Sequence, residues 1–314
     1  MLTYDRFKKK VANDFMSHMN PIYQGFTLRV SEVRKVNRRL DAVSITNPKA
    51  DVQVSPTVYV EDMYNDYMRT GDADSAIQRG ADIIMNAMPI ANDLMPKARA
   101  SAKSDDKIVF QLVNTEQNRS LLNDIPHREF MDLSLIYRWV VMSGPNGVYS
   151  AVIHKDMAES KGLSEEKLYE LAYKNTKRIL RPKITSFLDM ALDFMDRCKV
   201  AQEDVKRVLD TEEFSSRVYW ITSDIGYLGA SAMLYPEILE SVAEKIGSDF
   251  YILPASVHEL VAVPAAHDGE EEELMKMVES INHDETDSGD VLSDNIYLYS
   301  VANERLTQMP AVKR

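Results

Sequence analysis

Between residues 217 and 301 the chain alternates short β-rich runs with helical stretches, and that order leaves few ways to enclose a core. Residues 217–222 read as a strand, 226–246 as a helix restarted at Pro236 and closed at Gly247, and 250–253 and 259–263 as two strands. A helix over 270–282 and a last strand over 296–301 follow. Strand-helix-strand-strand-helix-strand is the split βαβ order of ferredoxin-like domains. Binding modules and enzymes both use it, so function has to be argued from particular residues.

Upstream, residues 2–19 predict an amphipathic helix with Phe7, Val11, Phe15 and Met16 or Met19 on one side. Two β-rich runs, 27–33 and 40–46, are joined through Lys35-Val36-Asn37-Arg38 as a hairpin. Ser55 as cap, Pro56 in the first helical position and Gly71 at the far end predict a helix in which Tyr59, Met63 and Tyr67 recur every four residues. A second helix over 74–88 is expected to stop at Pro89, and the polar stretch 96–106 to be an exposed linker. Strands follow at 107–113 and 131–142, with a short helix at 116–122 between them. Leu133, Leu135, Tyr137, Trp139 and Val141 line one face of the long strand, and a turn at Gly144-Pro145-Asn146-Gly147 leads into a return strand over 148–153. Ser164 caps a helix over 165–180, and Pro182 opens a further helical region to about 209. The sum is an α+β chain in two lobes, segmented at 1–106, 107–210 and 211–314, with the βαββαβ order in the last segment.

The 314 residues are 45% hydrophobic and 27% charged, which is globular composition. A net charge of −12 argues against wrapping a nucleic-acid backbone. The single cysteine, Cys198, excludes an intramolecular disulfide and a cysteine-based zinc site, and Met190, Ala191, Phe194 and Met195 place it in a buried stripe. Lys8, Lys9 and Lys10 precede Val11-Ala12-Asn13-Asp14, not the apolar run of a signal peptide. No stretch approaches the ~18 apolar residues of a membrane helix. The expectation is a soluble bacterial protein of the cytoplasm, with no membrane association. Charge is uneven: residues 1–54 carry +5, and residues 268–294 carry one lysine against eleven acidic residues. Arg34, Lys35, Arg38 and Arg39 of the hairpin could meet an anion or an acidic partner, or serve as a solvated edge that discourages aggregation.

Chemistry-bearing patterns are sparse. The six histidines form no H-x-x-x-H pair, and neither a G-x-S-x-G elbow nor a phosphate-binding glycine loop occurs. The sequence assigns no metal and no cofactor. His127, His154 and His258 could gather into one site, or each be a structural histidine; Asp132 lies near His127, and Glu259 follows His258. Seventeen methionines and fifteen tyrosines at helical spacing suggest a plastic core.

Several blocks together resemble an uncharacterised bacterial family, domain of unknown function 5688, found in gut anaerobes and their mobile elements. They are Ser55-Pro56-Thr57-Val58-Tyr59; Leu112-Val113-Asn114 with Asn118, Leu122, Pro126, His127 and Asp132-Leu133; Leu234-Tyr235-Pro236-Glu237; Phe250 through Glu259; and Val291-Leu292-Ser293-Asp294. Ala255 stands where a second serine is expected. The resemblance implies no activity and directs attention to Ser256, His258, Glu259, Asn114 and His127, and Asp132 is a candidate as a partner of His258 in place of Glu259. The expected function is a non-enzymatic binding or regulatory protein of a mobile element, acting on a protein partner such as a host defence component. The alternative is an enzyme, a hydrolase with a His/Glu site around His258.

Overall fold

Phe7, Val11 and Phe15 recur every four residues, and in the structure, a computed structural model, all three are fully buried. The first two lie on α1 (Tyr4–Asp14), and a 3-10 turn, Phe15–His18, continues it. The structure describes residues 1–48, 56–101, 104–144, 147–197, 217–265 and 269–309, which divide into two units, Met1–Ser104 and Asp105–Arg314.

In the first unit, β1 (Thr27–Lys35) and β2 (Arg38–Thr46) form the expected hairpin, longer than the apolar pattern alone indicated. Its two-residue loop places Asn37 at φ 60°, a left-handed conformation that asparagine tolerates. A short strand, β3 (Thr57–Tyr59), pairs with Ala42–Ser44 of β2. Helix α2 (Val60–Thr70) follows, closed by Gly71 at φ 76°, and then α3 (Ala73–Ser101). Met63 and Tyr67 from α2 and Ile77, Ala81 and Ile84 from α3 close on Phe7 and Val43, with Phe7 stacked on Tyr67 at 5.3 Å.

The second unit holds two sheets. In the first, β6 (Leu133–Gly144) pairs on one side with β4 (Ile108–Asn114) and on the other with β5 (His127–Phe130) and β7 (Gly147–Val152). A short helix, α4 (Arg119–Leu122), links β4 to β5. Helices α5 (Lys155–Ser160) and α6 (Glu165–Ile179) come next, and the Ser164 hydroxyl accepts the Lys167 N–H as the cap of α6. The second sheet has six strands: β8 (Pro182–Ser186), β9 (Tyr219–Ser223), β10 (Phe250–Ser256), β11 (Glu259–Pro264), β12 (Tyr297–Ser300) and β13 (Arg305–Gln308). Helix α7 (Phe187–Arg197) follows β8, α8 (Pro236–Ile246) lies between β9 and β10, and α9 (Glu271–Asp284) between β11 and β12. The strand order is β13-β12-β10-β11-β9-β8, every pairing antiparallel. One strand separates two of the pairs joined through a helix, β11 between β9 and β10 and β10 between β11 and β12, while β8 and β9, on either side of α7, are direct neighbours. Helices beside antiparallel sheets make the chain α+β.

The two sheets share one core. Leu112, Leu135 and Tyr137 from the first lie in the same apolar cluster as Ile221, Phe250, Ile252 and Tyr297 from the second. A row of rings, Phe110, Tyr169, Tyr173 and Tyr235, runs through it with centroids 5.0–6.0 Å apart. Many of the tyrosines are thus core, as their spacing predicts.

Four expectations require correction. Residues 57–59 are a strand, not the first turn of a helix, because β-branched Thr57 and Val58 find a partner in β2; Ser55 lies outside the described residues. The second helix does not stop at Pro89 but runs to Ser101, through most of the stretch expected to be a linker. A proline removes one intrahelical hydrogen bond without forbidding the turns on either side. Pro182 opens a strand, not a helix, since the β-branched pair Ile184-Thr185 pairs with Trp220-Ile221. Strands β5 and β13 have no counterpart in the sequence expectation, both being four residues long. Cys198 lies outside the described residues.

Candidate functional site

The segment after β9 turns back on itself through Gly226 at φ 64° and Leu228 at φ 51°. Ser223 closes the loop: its hydroxyl accepts the Tyr227 N–H and donates to the Tyr227 carbonyl, both at 2.9 Å. At Gly229 a Cβ would stand 2.5 Å from the His258 carbonyl oxygen and 2.5 Å from the Ser223 nitrogen. Two backbones cross there, and only glycine allows it.

The crossing lays Tyr227 and Leu228 over the β10–β11 turn, which carries Ser256 and His258. The Ser256 hydroxyl accepts the His258 N–H at 3.0 Å and so shapes the turn. Thr222 Oγ1 donates to the His258 carbonyl at 2.9 Å. His258 Nδ1 accepts the Leu228 N–H at 3.0 Å, which leaves the imidazole proton on Nε2, 3.5 Å from Asp290 Oδ1. The lone pair of the neutral ring is thereby taken, so in this arrangement His258 has none with which to accept a proton from water or substrate. The Tyr227 ring lies against the imidazole, centroids 5.5 Å apart.

From Tyr227 the polar chain continues into the first sheet. The Tyr227 hydroxyl is 2.7 Å from Ser150 Oγ on β7. Arg138 on β6 donates from Nε to Ser150 Oγ at 2.8 Å, from Nη2 to the Ser150 carbonyl at 3.2 Å, and from Nη1 to Gln111 Oε1 at 2.9 Å. All three acceptor groups are neutral. Desolvation pushes the Arg138 guanidinium below its ordinary pKa, and the adjacent Tyr227 hydroxyl acts in the opposite sense. Arg128, by contrast, forms a two-pronged pair with Glu165 through Nε at 3.0 Å and Nη2 at 2.6 Å, and that carboxylate raises its pKa.

The remaining sequence candidates are distributed as follows. Glu259 follows His258 but turns to Trp220, whose Nε1 donates to it at 2.7 Å. Asp132 lies in the β5–β6 turn and takes donors from Ser293 Oγ at 2.6 Å, Asn295 Nδ2 at 2.9 Å and the Tyr297 hydroxyl at 2.8 Å. It fastens the first sheet to the segment that enters β12. Asn114 ends β4, where its Oδ1 accepts the Gln117 N–H and its carbonyl accepts from Asn118. The Asp132 carbonyl accepts the Thr115 N–H, so Asn114 and Asp132 mark the same end of that sheet. His127 opens β5 with Nδ1 3.1 Å from the Ile125 carbonyl, and His154 stands exposed before α5. Among the described residues no group of three or more His, Cys, Asp or Glu is placed to hold a metal ion.

Arg34, Lys35, Arg38 and Arg39 sit at the tip of the β1–β2 hairpin in the first unit, Arg34 opposite Arg39 and Lys35 opposite Arg38. The same unit has a cleft of about 560 Å³ between β3, α2 and α3. Asp66 on its wall takes Arg69 at 2.7 Å and also Arg79, and these arginines hold its carboxyl below the usual range.

Sequence reasoning pointed to Ser256, His258 and Glu259 but missed Arg138, Ser150 and Tyr227. The sequence carries a signal for Arg138: opposite the apolar face of the long strand lie Ser134, Ile136, Arg138 and Val140, a charge among uncharged residues.

No helix among the described residues is long and apolar enough to cross a membrane. No curated protein and no solved structure matches the chain. The model of one family matches residues 4–301, and the chain therefore belongs to that family, the family of unknown function DUF5688.

Proposed function

We propose that this chain is a binding or regulatory protein, of the kind a bacterial mobile element carries, and that it meets an acidic segment of a protein partner with the tip of its β1–β2 hairpin. The observation that supports this is the register of the tip, which sets Arg34 against Arg39 and Lys35 against Arg38. Four basic side chains facing one another in two pairs make a local positive surface complementary to an acidic segment. The commitment of His258 Nδ1 to the Leu228 N–H favours binding over a hydrolase that uses His258 as base.

The test is affinity capture from the native host with the wild-type chain and with a Lys35→Glu/Arg39→Glu variant. Both positions are exposed, and each substitution sets a glutamate opposite an arginine, so the variant should keep the wild-type circular dichroism and melt no lower than the wild type. A stoichiometric partner captured by the wild type and lost by the variant supports the reading. Equal capture by both, or a captured nucleic acid in place of a protein, overturns it.

A further inference from the structure

We infer that Arg138, Ser150 and Tyr227 form a binding site for a small oxyanion, the carboxylate or phosphate group of a ligand. The site lies in the second unit and does not depend on the hairpin reading.

Arg138 carries a permanent charge crowded by protein atoms, and its protein partners are neutral: Gln111 Oε1, the hydroxyl and carbonyl of Ser150, and the adjacent Tyr227 hydroxyl. Neutral acceptors satisfy N–H groups but leave the charge itself uncompensated, and a desolvated charge without a counterion is costly. Elsewhere the chain supplies one: Arg128 has Glu165, and Arg69 and Arg79 have Asp66. Three of the five N–H groups of Arg138 go to Gln111 and Ser150, and the other two, one on each terminal nitrogen, have no carboxylate partner among the described residues. Two such N–H groups are the donors a carboxylate or phosphate takes.

A third donor stands beside them. Ser150 Oγ already accepts from Arg138 Nε and pairs with the Tyr227 hydroxyl. That pair contains two hydroxyl hydrogens and their mutual bond uses one, so the other remains to be donated. Arg138, Ser150 and Tyr227 each retain partial exposure, which gives a small anion access. Gln111, only 4% exposed, holds the inner side of the guanidinium. The site is also built for rigidity, since Tyr227 is locked by Ser223 and by the crossing at Gly229.

The test titrates the full-length protein with sodium phosphate and, separately, with sodium acetate at constant ionic strength, following the ¹⁵Nε resonances of the arginines by NMR and the heat by calorimetry. Saturable binding of about one anion per chain that moves the Arg138 resonance is expected. Gln111→Glu nearly preserves shape while giving Arg138 an internal carboxylate, and it should weaken the anion at least tenfold; Arg138→Met should abolish binding. Phosphate alone saturating assigns a phosphate ligand, acetate alone a carboxylate ligand, and both a general oxyanion site. No saturable binding of either anion by the wild type overturns the inference, as does binding that Gln111→Glu leaves unchanged. The wild-type titration decides even where Arg138→Met fails to fold.

Discussion

At Gly229 a single hydrogen atom allows the β9 loop to cross the β10–β11 turn. Gly229→Ala would drive a Cβ to 2.5 Å from two backbone atoms, which cannot rotate away as a side chain can. The expected loss is about 3 kcal/mol, the upper end of overpacking costs. Gly226, also at positive φ but with open space around its Cβ position, should lose only about 1–2 kcal/mol on substitution by alanine, the left-handed penalty alone. Urea denaturation of the two variants separates crowding from backbone conformation. Asp132 is a second such point. Asp132→Asn exchanges a carboxylate that satisfies three donors for an amide with one acceptor oxygen, and the loss should be about 3 kcal/mol. A loss below roughly 0.5 kcal/mol, typical of an exposed surface change, would show that the staple contributes nothing. Asp132 was legible as a position of interest, but its role was not, since its partners lie some 160 residues away.

Helix α3 passes through Pro89, whose side chain is exposed. Proline in a helix interior costs about 3 kcal/mol relative to alanine, so Pro89→Ala should raise the denaturation midpoint of the first unit. An unchanged or lower midpoint would mean that the helix end is set elsewhere. Ser164→Ala removes the cap of α6 and should cost about 1 kcal/mol. Surface ion pairs, each screened by solvent, contribute modestly to the acid limb of stability. Asp66 is held below its ordinary 3.8 by Arg69 and Arg79, and Glu237, at the start of α8, below 4.5 by Lys177. A carboxyl depressed in the folded state adds stability above its unfolded value and loses it as pH falls through the folded one. Stability should therefore drop as pH goes below about 4.5, and Asp66→Asn with Glu237→Gln should make that limb slightly shallower in urea titrations between pH 5 and 3. The caps at Ser164, Gly71 and Gly247 were readable in advance because capping is local chemistry. Strands β3 and β8 were not, because their pairing partners decide them.

Each unit of the whole molecule encloses its own apolar cluster, one around Phe7, Val43 and Ile84 and the other around Tyr137, Phe250 and Tyr297. A fragment of residues 105–314 should accordingly unfold cooperatively by itself in urea; a broad, non-cooperative transition would show that the boundary cuts a shared core. The α+β class and most of the helices, strands and turns between them were legible, because periodicity, caps and turn residues act within a few positions of one another. So were the turn at His258 and the concentration of charge on the hairpin, which are runs of adjacent residues. The strand order β13-β12-β10-β11-β9-β8, the hydrogen bonding of Asp132 to Ser293, Asn295 and Tyr297, and the meeting of Arg138 with Tyr227 were decided only by the tertiary structure. The reason is physical: Arg138 and Tyr227 are 89 positions apart, and their meeting depends on how two sheets share one core, which no local preference encodes.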